Sequence, residues 1–322
     1  MNEFDIIERY FRPLTMGNAG SAELCDDAAV IDIPDGCELV VTSDTLNEAV
    51  HFLEGEAPAN IARKALRVNL SDLASMAAKP LCYQLNVAFP HKPSSAWLEE
   101  FSHALIEENK HYDIYCSGGD TTSIKSNGLS ISITAIGLVP KGKAVRRGGA
   151  QAGDAIVLTG VIGDAALGLK VLQERLDLKR YAKAVEAYHV PNPRVHLHEF
   201  MQGNVHAAAD ISDGLFADVM HIARASGLGA CIDAKAITFS DVVNDGLRAK
   251  EITINQAMKG GDDYELILAI SEASLAGALI ELKKLQCNPL VIGKFSDITL
   301  GLNVENAQHY ALDLEDLGWS HF

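Results

Sequence analysis

Six short motifs place aspartates beside small, hydroxyl-bearing or glycine residues: Asp26-Asp27-Ala28-Ala29-Val30, Thr42-Ser43-Asp44-Thr45, Asn69-Leu70-Ser71-Asp72, Gly118-Gly119-Asp120, Asp210-Ile211-Ser212-Asp213-Gly214 and Gly260-Gly261-Asp262-Asp263-Tyr264-Glu265. Any one of them by itself reads first as a capped turn, because an aspartate at a turn or helix start usually accepts backbone N–H groups. The set reads differently. Asp44 and Asp210 are placed at the ends of apolar strands and Asp72 inside an otherwise apolar helix. There a partly desolvated carboxylate costs several kcal/mol unless a cation pairs with it. Lysines and arginines are scarce nearby. A hard divalent cation supplies the compensation, and magnesium favours carboxylate and hydroxyl oxygens while keeping positions for water and phosphate oxygens. The hydroxyls of Thr42 and Ser43 are expected beside Asp44.

Such a cluster suits phosphoryl chemistry. The chain has neither a G-x-x-x-x-G-K-[ST] loop nor a kinase-type glycine-rich loop, so nucleotide phosphates would be held mainly through bridging metals. Gly118 and Gly119 would let the backbone approach a phosphate closely. Arg146, in a glycine-rich segment, is a candidate phosphate contact, with an exposed linker arginine as the plainer alternative.

The elements that must position these groups alternate between strand and helix. Strands are predicted over Glu38 to Ser43, Leu81 to Phe89, Asp113 to Cys116 and Leu129 to Val139, with helices over Ala59 to Ala78, stopped by Pro80, and Ser95 to Asn109. Leu66, Leu70, Leu73 and Ala77 share one helix face. Pro140 to Gly153 gathers Lys141, Lys143, Arg146 and Arg147 with four glycines, and a domain boundary is placed there, giving domains 1–148 and 149–322. The second half continues with strands over Ala155 to Leu158, Ala207 to Ile211, Leu228 to Asp233, Tyr264 to Ile270 and Pro289 to Gly293. Its helices are predicted over Asp164 to Leu176, Gly214 to Ser226 and Leu275 to Leu285. The fold class is α/β (α+β) in two domains.

Of the 322 residues 48% are apolar, enough for a full core. The formal charge of −16 repels nucleic acid and anionic membranes. The six cysteines show no C-x-x-C pair and no zinc spacing, which predicts reduced, mostly buried thiols. Glu3, Asp5, Glu8 and Arg9 interrupt the start of the chain where a signal peptide needs an apolar run, and no stretch is long enough to span a bilayer, so a cytoplasmic location is expected.

These motifs together resemble the thiamine-monophosphate kinase family of the PurM-like (AIR synthase-related) superfamily, from end to end. The resemblance is carried by Asp26-Asp27-Ala28-Ala29-Val30, Thr42-Ser43-Asp44-Thr45-Leu46 followed by His51-Phe52, Asn69-Leu70-Ser71-Asp72-Leu73 and Gly118-Gly119-Asp120-Thr121-Thr122. In the second half it is carried by Asp210-Ile211-Ser212-Asp213-Gly214-Leu215, Gly260-Gly261-Asp262-Asp263-Tyr264-Glu265-Leu266 and the terminal Gly318-Trp319-Ser320-His321-Phe322. It implies an N-terminal sheet domain that pairs with its copy in a homodimer and a C-terminal α/β domain. The implied reaction is transfer of the γ-phosphoryl group of ATP to thiamine monophosphate, giving thiamine diphosphate, the last step of that cofactor's biosynthesis. Carried over position by position, Asp27, Thr42, Ser43, Asp44, Asp72, Asp120, Asp210 and Asp213 match ligands of several magnesium ions. Gly119, Asp120, Arg146 and Ser212 match ATP contacts. His51, Asp262 and Trp319 match positions facing thiamine monophosphate. Cys25 stands where the family usually has glycine, and Asp262 where it usually has glutamate.

The implied acceptor is a phosphate oxygen, already anionic at neutral pH, so no general base is required, and no single catalytic residue is singled out. Repulsion is the obstacle, and several cations held by aspartates answer it. His51 alone reads as a structural histidine, and Trp319 as a residue packing the C-terminus or as a face for a flat heterocycle. Two rival readings remain open on the residues. Other PurM-like enzymes use ATP to activate an amide, a carbamoyl group or selenide. A protein that merely binds divalent cations would take up magnesium without nucleotide.

Overall fold

The structure, a computed structural model, describes residues 3–125, 128–297, 299 and 301–319. The chain divides into two compact units, Met1–Leu73 with Ala78–Gly142 and Ala74–Ala77 with Lys143–Phe322.

In the first unit a short helix α1 (Glu3–Ile6) and three further helical turns lead to β1 (Cys37–Asn47), α2 (Pro58–Ser75), β2 (Lys79–Phe89), α3 (Ser95–Tyr112), β3 (Tyr115–Ser123) and β4 (Ser130–Pro140). The strands form a sheet in the order β1-β4-β2-β3, antiparallel except for the parallel β2–β3 pair. Alternation along β4 sends Ile131, Ile133, Ala135 and Val139 to a buried face. A Cβ on Gly137 would lie 3.2 Å from Leu73 Cδ2, so α2 packs on that face. Helices α2 and α3 are tied by the Arg67 guanidinium, which donates to both Glu108 oxygens at 2.7 and 2.9 Å, with Glu108 only 4% exposed. The opposite face is open: Leu39 and Val41 of β1 are 38% and 58% exposed. Opposite them in β4 lie Leu138 and Ile136.

The second unit has β5 (Ala155–Leu158), α4 (Asp164–Glu174), α5 (Ala182–His189), α6 (His198–Asn204), β6 (Ala207–Asp210), α7 (Leu215–Ala225), β7 (Leu228–Asp233), α8 (Asp241–Ala249), α9 (Ile254–Lys259), β8 (Leu266–Ile270), α10 (Glu272–Lys284), β9 (Leu290–Asp297) and β10 (Leu302–Glu305). Its sheet runs β10-β7-β9-β5-β8-β6, with only the β10–β7 pair parallel. Strands β5, β6 and β8 are buried at every position, because apolar clusters cover both faces. One cluster joins Ile156, Ile211 and Ile267 to Phe216 and Val219 of α7. The other joins Val157, Leu266 and Leu268 to Phe200 of α6 and Leu282 of α10.

Several elements differ from the sequence expectation. Helix α2 ends at Ser75 rather than Ala78: Ala77 takes a left-handed conformation (φ 58°), and Ala78 N–H closes the helix on Leu73 O. Pro80 then lies inside β2, next to a bulge. Strand β3 extends to Ser123, so Gly118-Gly119-Asp120 lies inside a strand rather than at its end. Asp44 likewise lies inside β1. Three cysteines, Cys82, Cys116 and Cys287, are buried, whereas Cys25 is exposed and Cys37 and Cys231 are half-buried; all six are free thiols. Among the described residues no helix is long and apolar enough to cross a membrane.

Candidate active site

In the first unit β1 and α2 bring carboxylates together. Thr42 and Asp44 are two apart on β1 and face the helix, while Asn69 and Asp72, three apart on α2, face the strand. Thr42 Oγ1 donates a short hydrogen bond to Asp72 Oδ2. The fully buried Asn69 accepts the Asp44 backbone N–H at 3.1 Å on Oδ1 and donates to Ala65 O at 3.0 Å. The Asp44 carboxyl is pushed up to about 6, by burial first and by the neighbouring Asp72 second. Ser43 is different. Its side chain points to the other face of β1, where Oγ lies 3.0 Å from Thr134 Oγ1, so its hydroxyl does not sit beside the Asp44 carboxylate.

A second group in this unit lines a cavity of about 370 Å³: Asp26, Asp27, Asn86, Gly118, Gly119 and Asp120. Asp120 stands opposite Asn86 in the β2–β3 ladder. A Cβ on Gly119 would lie 1.8 Å from Leu85 O, so the neighbouring strand itself requires glycine there. Cys25 has φ −102°, which any residue adopts, so the turn before Asp26 makes no demand for glycine. His51 sits in the turn after β1. Its Nδ1 accepts the Asn47 N–H at 3.0 Å, and its carbonyl accepts from Lys64 at 3.1 Å.

In the second unit β6 ends on Asp210, which is 2% exposed, and the chain turns through Ser212, Asp213 and Gly214 into α7. Asp218, one turn into that helix and 1% exposed, accepts the backbone N–H groups of Ser212, Asp213 and Gly214 on Oδ2 at 3.1, 3.1 and 3.2 Å. Its carboxyl is pushed up to about 8, first by burial, then by Asp210 and Asp213. Its other oxygen is buried with no hydrogen-bond partner among the described residues. Asp213, Asp218 and His221 each bring one ligand atom within 4.8 Å of the others.

The Gly260–Tyr264 segment lies against this turn. Asp262 donates its N–H to Ser212 O at 2.9 Å, and Tyr264 donates its N–H to Ile211 O at 2.9 Å. Asp262 and Tyr264 are both left-handed, at φ 60° and 52°, a strained choice for non-glycine residues. Tyr264 OH lies 3.0 Å from Asp262 Oδ1 and donates to it. A Cβ on Gly261 would lie 2.3 Å from Ser212 O. Trp319, 58% exposed, donates its N–H to Asp213 O at 2.8 Å, and Ser320, His321 and Phe322 of the terminal motif lie outside the described residues. Arg146 is exposed, and its carbonyl accepts from Ala208 of β6.

The structure therefore groups Thr42, Asp44 and Asp72, groups Asp27, Gly119 and Asp120, and groups Asp210, Ser212, Asp213, Asp262 and the Trp319 backbone. Arg146 and His51 belong to none of these groups. Magnesium fits the donor sets: Asp44 and Asp72 are adjacent carboxylates whose mutual cost a cation would remove, and Asp213 and the buried Asp210 both raise the carboxyl of Asp218 beside them. Asn69, Asp218 and His221 are absent from the sequence-derived set. Asp218 carried a usable signal, a carboxylate on the inner face of the apolar helix Leu215–Ala225, the same feature that marked Asp72.

Comparison with known proteins adds the following. Residues 25–139 match the AIR synthase related protein, N-terminal domain, and residues 151–299 the AIR synthase related protein, C-terminal domain. A thiamine-monophosphate kinase of Caulobacter vibrioides is 40% identical over 278 residues, 83% of this chain and 76% of that protein. The crystal structure of thiamine-monophosphate kinase from Stenotrophomonas maltophilia K279a superposes with a TM-score of 0.84 at 35% identity, covering 95% of this chain and 97% of that one. A structure of AaThiL complexed with AMPPCP and TMP superposes with a TM-score of 0.79 at 25% identity, covering 99% and 97%.

Proposed function

The chain belongs to the thiamine-monophosphate kinase family of AIR synthase related proteins, and on that premise we propose that it transfers the γ-phosphoryl group of ATP directly to thiamine monophosphate. The observation that carries the site assignment is the Asp44–Asp72 pair, two carboxylates placed together by Thr42 and Asn69, where burial and Asp72 disfavour the ionisation of Asp44 without a cation. Asp27, Thr42, Ser43, Asp44, Asp72, Asp120, Asp210 and Asp213 hold several magnesium ions in this reading, Thr42 through its hydroxyl. Gly119, Asp120, Arg146 and Ser212 contact ATP. His51, Asp262 and Trp319 contact thiamine monophosphate. Residues 1–148 thus carry most metal donors, and residues 149–322 supply the remaining nucleotide and substrate contacts.

Bound magnesium supplies charge neutralisation between the two anionic reactants. The protein's own residues do the rest. Aspartates fixed on β1, α2 and β6 hold their oxygens in place before substrate arrives, so little reorganisation is left for the transfer. The acceptor phosphate is already anionic, so no side chain need remove a proton. Trp319 presents an exposed aromatic face suited to a flat, cationic heterocycle.

The open sheet face of the first unit, with Leu39 and Val41 exposed, supports a homodimer through that face. A cytoplasmic location accords with the six free thiols.

The test is to incubate the protein with ATP, magnesium and thiamine monophosphate and to follow ADP and thiamine diphosphate together. Stoichiometric thiamine diphosphate that vanishes in Asp44→Asn and Asp210→Asn is expected. ADP without thiamine diphosphate would overturn the assignment of the acceptor.

A further inference from the structure

The turn between β6 and α7 has an unusual hydrogen-bond economy. All three of its successive N–H groups, from Ser212, Asp213 and Gly214, point inward to one oxygen of Asp218. Its carbonyls are thereby turned outward, and two of them are used. Ser212 O accepts the Asp262 N–H at 2.9 Å, and Asp213 O accepts the Trp319 N–H at 2.8 Å. The approach is close enough that a Cβ on Gly261 would strike Ser212 O at 2.3 Å, and one on Gly318 would strike Asp213 O at 2.4 Å. Two chain segments distant in sequence are thus hung on one three-residue turn, and the turn is hung on one buried carboxyl group.

We propose that Asp218 is the positioning residue of this half of the site: by gathering the three N–H groups it fixes the turn whose carbonyls set the places of Asp262 and Trp319. Asp218 touches neither nucleotide nor acceptor in this role. Burial at 1% exposure keeps water from competing for the three amides, which is why a single side chain can set the turn. These amides come from the capping position, Gly214, and the two residues before it, so neither the helix's own ladder nor an ordinary capping side chain, which accepts from the first turn, would take them. Asp218 takes them by reaching back from inside the helix.

The inference rests on the kinase reading only for its kinetic consequence, so the primary test is hydrogen exchange on the metal-free protein, which needs no activity. In the wild type the Ser212, Asp213 and Gly214 amides are expected to exchange at least about 100-fold more slowly than unstructured peptide, despite lying in a loop. Asp218→Leu keeps the shape and removes the acceptor. It is expected to speed exchange at Asp262 and Trp319 by about 10-fold or more while the β8 amides stay protected, and Asp218→Asn, which keeps one acceptor oxygen, is expected to restore protection. Loop-like exchange of residues 212–214 in the wild type overturns the proposal even if the leucine variant fails to fold. So does equal loss of protection across β8, or an asparagine variant as defective as the leucine one.

Kinetics extends the test. Asp218→Leu should raise the KM for thiamine monophosphate, and its effect should be less than additive with that of Trp319→Ala, because both act through one turn. Full additivity counts against the proposal. Absence of any thiamine diphosphate in the wild type sinks the kinase reading and leaves the exchange result to decide the role of Asp218.

Discussion

Replacing Asp44 by asparagine keeps its size and removes the charge that faces Asp72, so kcat/KM is expected to fall by about 100-fold or more, measured as thiamine diphosphate formed at saturating magnesium. The same residue gives the metal-free protein a pH dependence. Its carboxyl is raised from 3.8 to about 6, by burial and then by Asp72, so the folded state holds the proton more tightly than the unfolded chain. The stability this contributes is complete below 3.8 and is lost as pH rises through about 6. The melting temperature without magnesium should therefore fall across that window. Added magnesium should raise it by an increment that grows with pH, because the metal binds the ionised form. An increment that is constant from pH 4.5 to 7.5 would place the metal elsewhere. At this scale the sequence was a good guide to charge and a poor one to direction. Adjacent hydroxyls at Thr42 and Ser43 look equivalent as letters, yet the two-residue period of β1 sends them to opposite faces. Asp218 escaped notice because it belongs to no short motif, and its importance comes from three backbone groups that turn back toward it.

Between elements, the pairing of Arg67 with the buried Glu108 locks α2 against α3. Arg67→Met removes both short hydrogen bonds to that buried carboxylate and leaves it only Arg63, whose Nε lies 3.5 Å from Oε1, and is expected to cost about 2 kcal/mol or more in urea unfolding. Arg67→Met with Glu108→Leu should recover most of the loss, since two apolar groups of similar size need no partner. At the other end of the chain, Gly261→Ala places a Cβ against Ser212 O at a left-handed residue and should lower stability by about 2 kcal/mol while weakening acceptor binding. Strands whose pattern was unambiguous, such as Ala155–Leu158 and Leu228–Asp233, were legible to the residue. β3 was not, because Gly118-Gly119-Asp120-Thr121-Thr122 has the composition of a turn. It is held extended by the parallel ladder to β2, a partner about 30 residues away that local pattern does not reveal. Helices α5, α6, α8 and α9 were missed because each is short: α8 and α9 take their order from side-chain caps as well as packing, and α5 and α6 have no such cap. In α9 Thr253 and Gln256 form a reciprocal capping box. The extra turn assigned to α2 followed from good helix formers through Ala78; the left-handed Ala77 shows the chain reversing into β2 against that propensity.

For the molecule as a whole, the proposed homodimer rests on the open face of the first sheet. Val41→Asp on that face is expected to shift the sedimenting species toward the 34.6 kDa monomer at micromolar concentration. A wild-type protein that sediments only at 34.6 kDa would overturn the dimer. The order in which the chain is made gives this face a further meaning. The four strands of the first sheet are all complete by Pro140, with the greater part of the second unit still to be synthesised. The early-emerging half thus carries uncovered leucine, valine and isoleucine side chains into the crowded surroundings of the ribosome before the rest of its own chain exists. On the proposed assembly, what finally covers them is another molecule's identical face. Neighbouring ribosomes on one message would then be the place where that face is first protected, and yield on overexpression should depend on how soon two nascent copies meet.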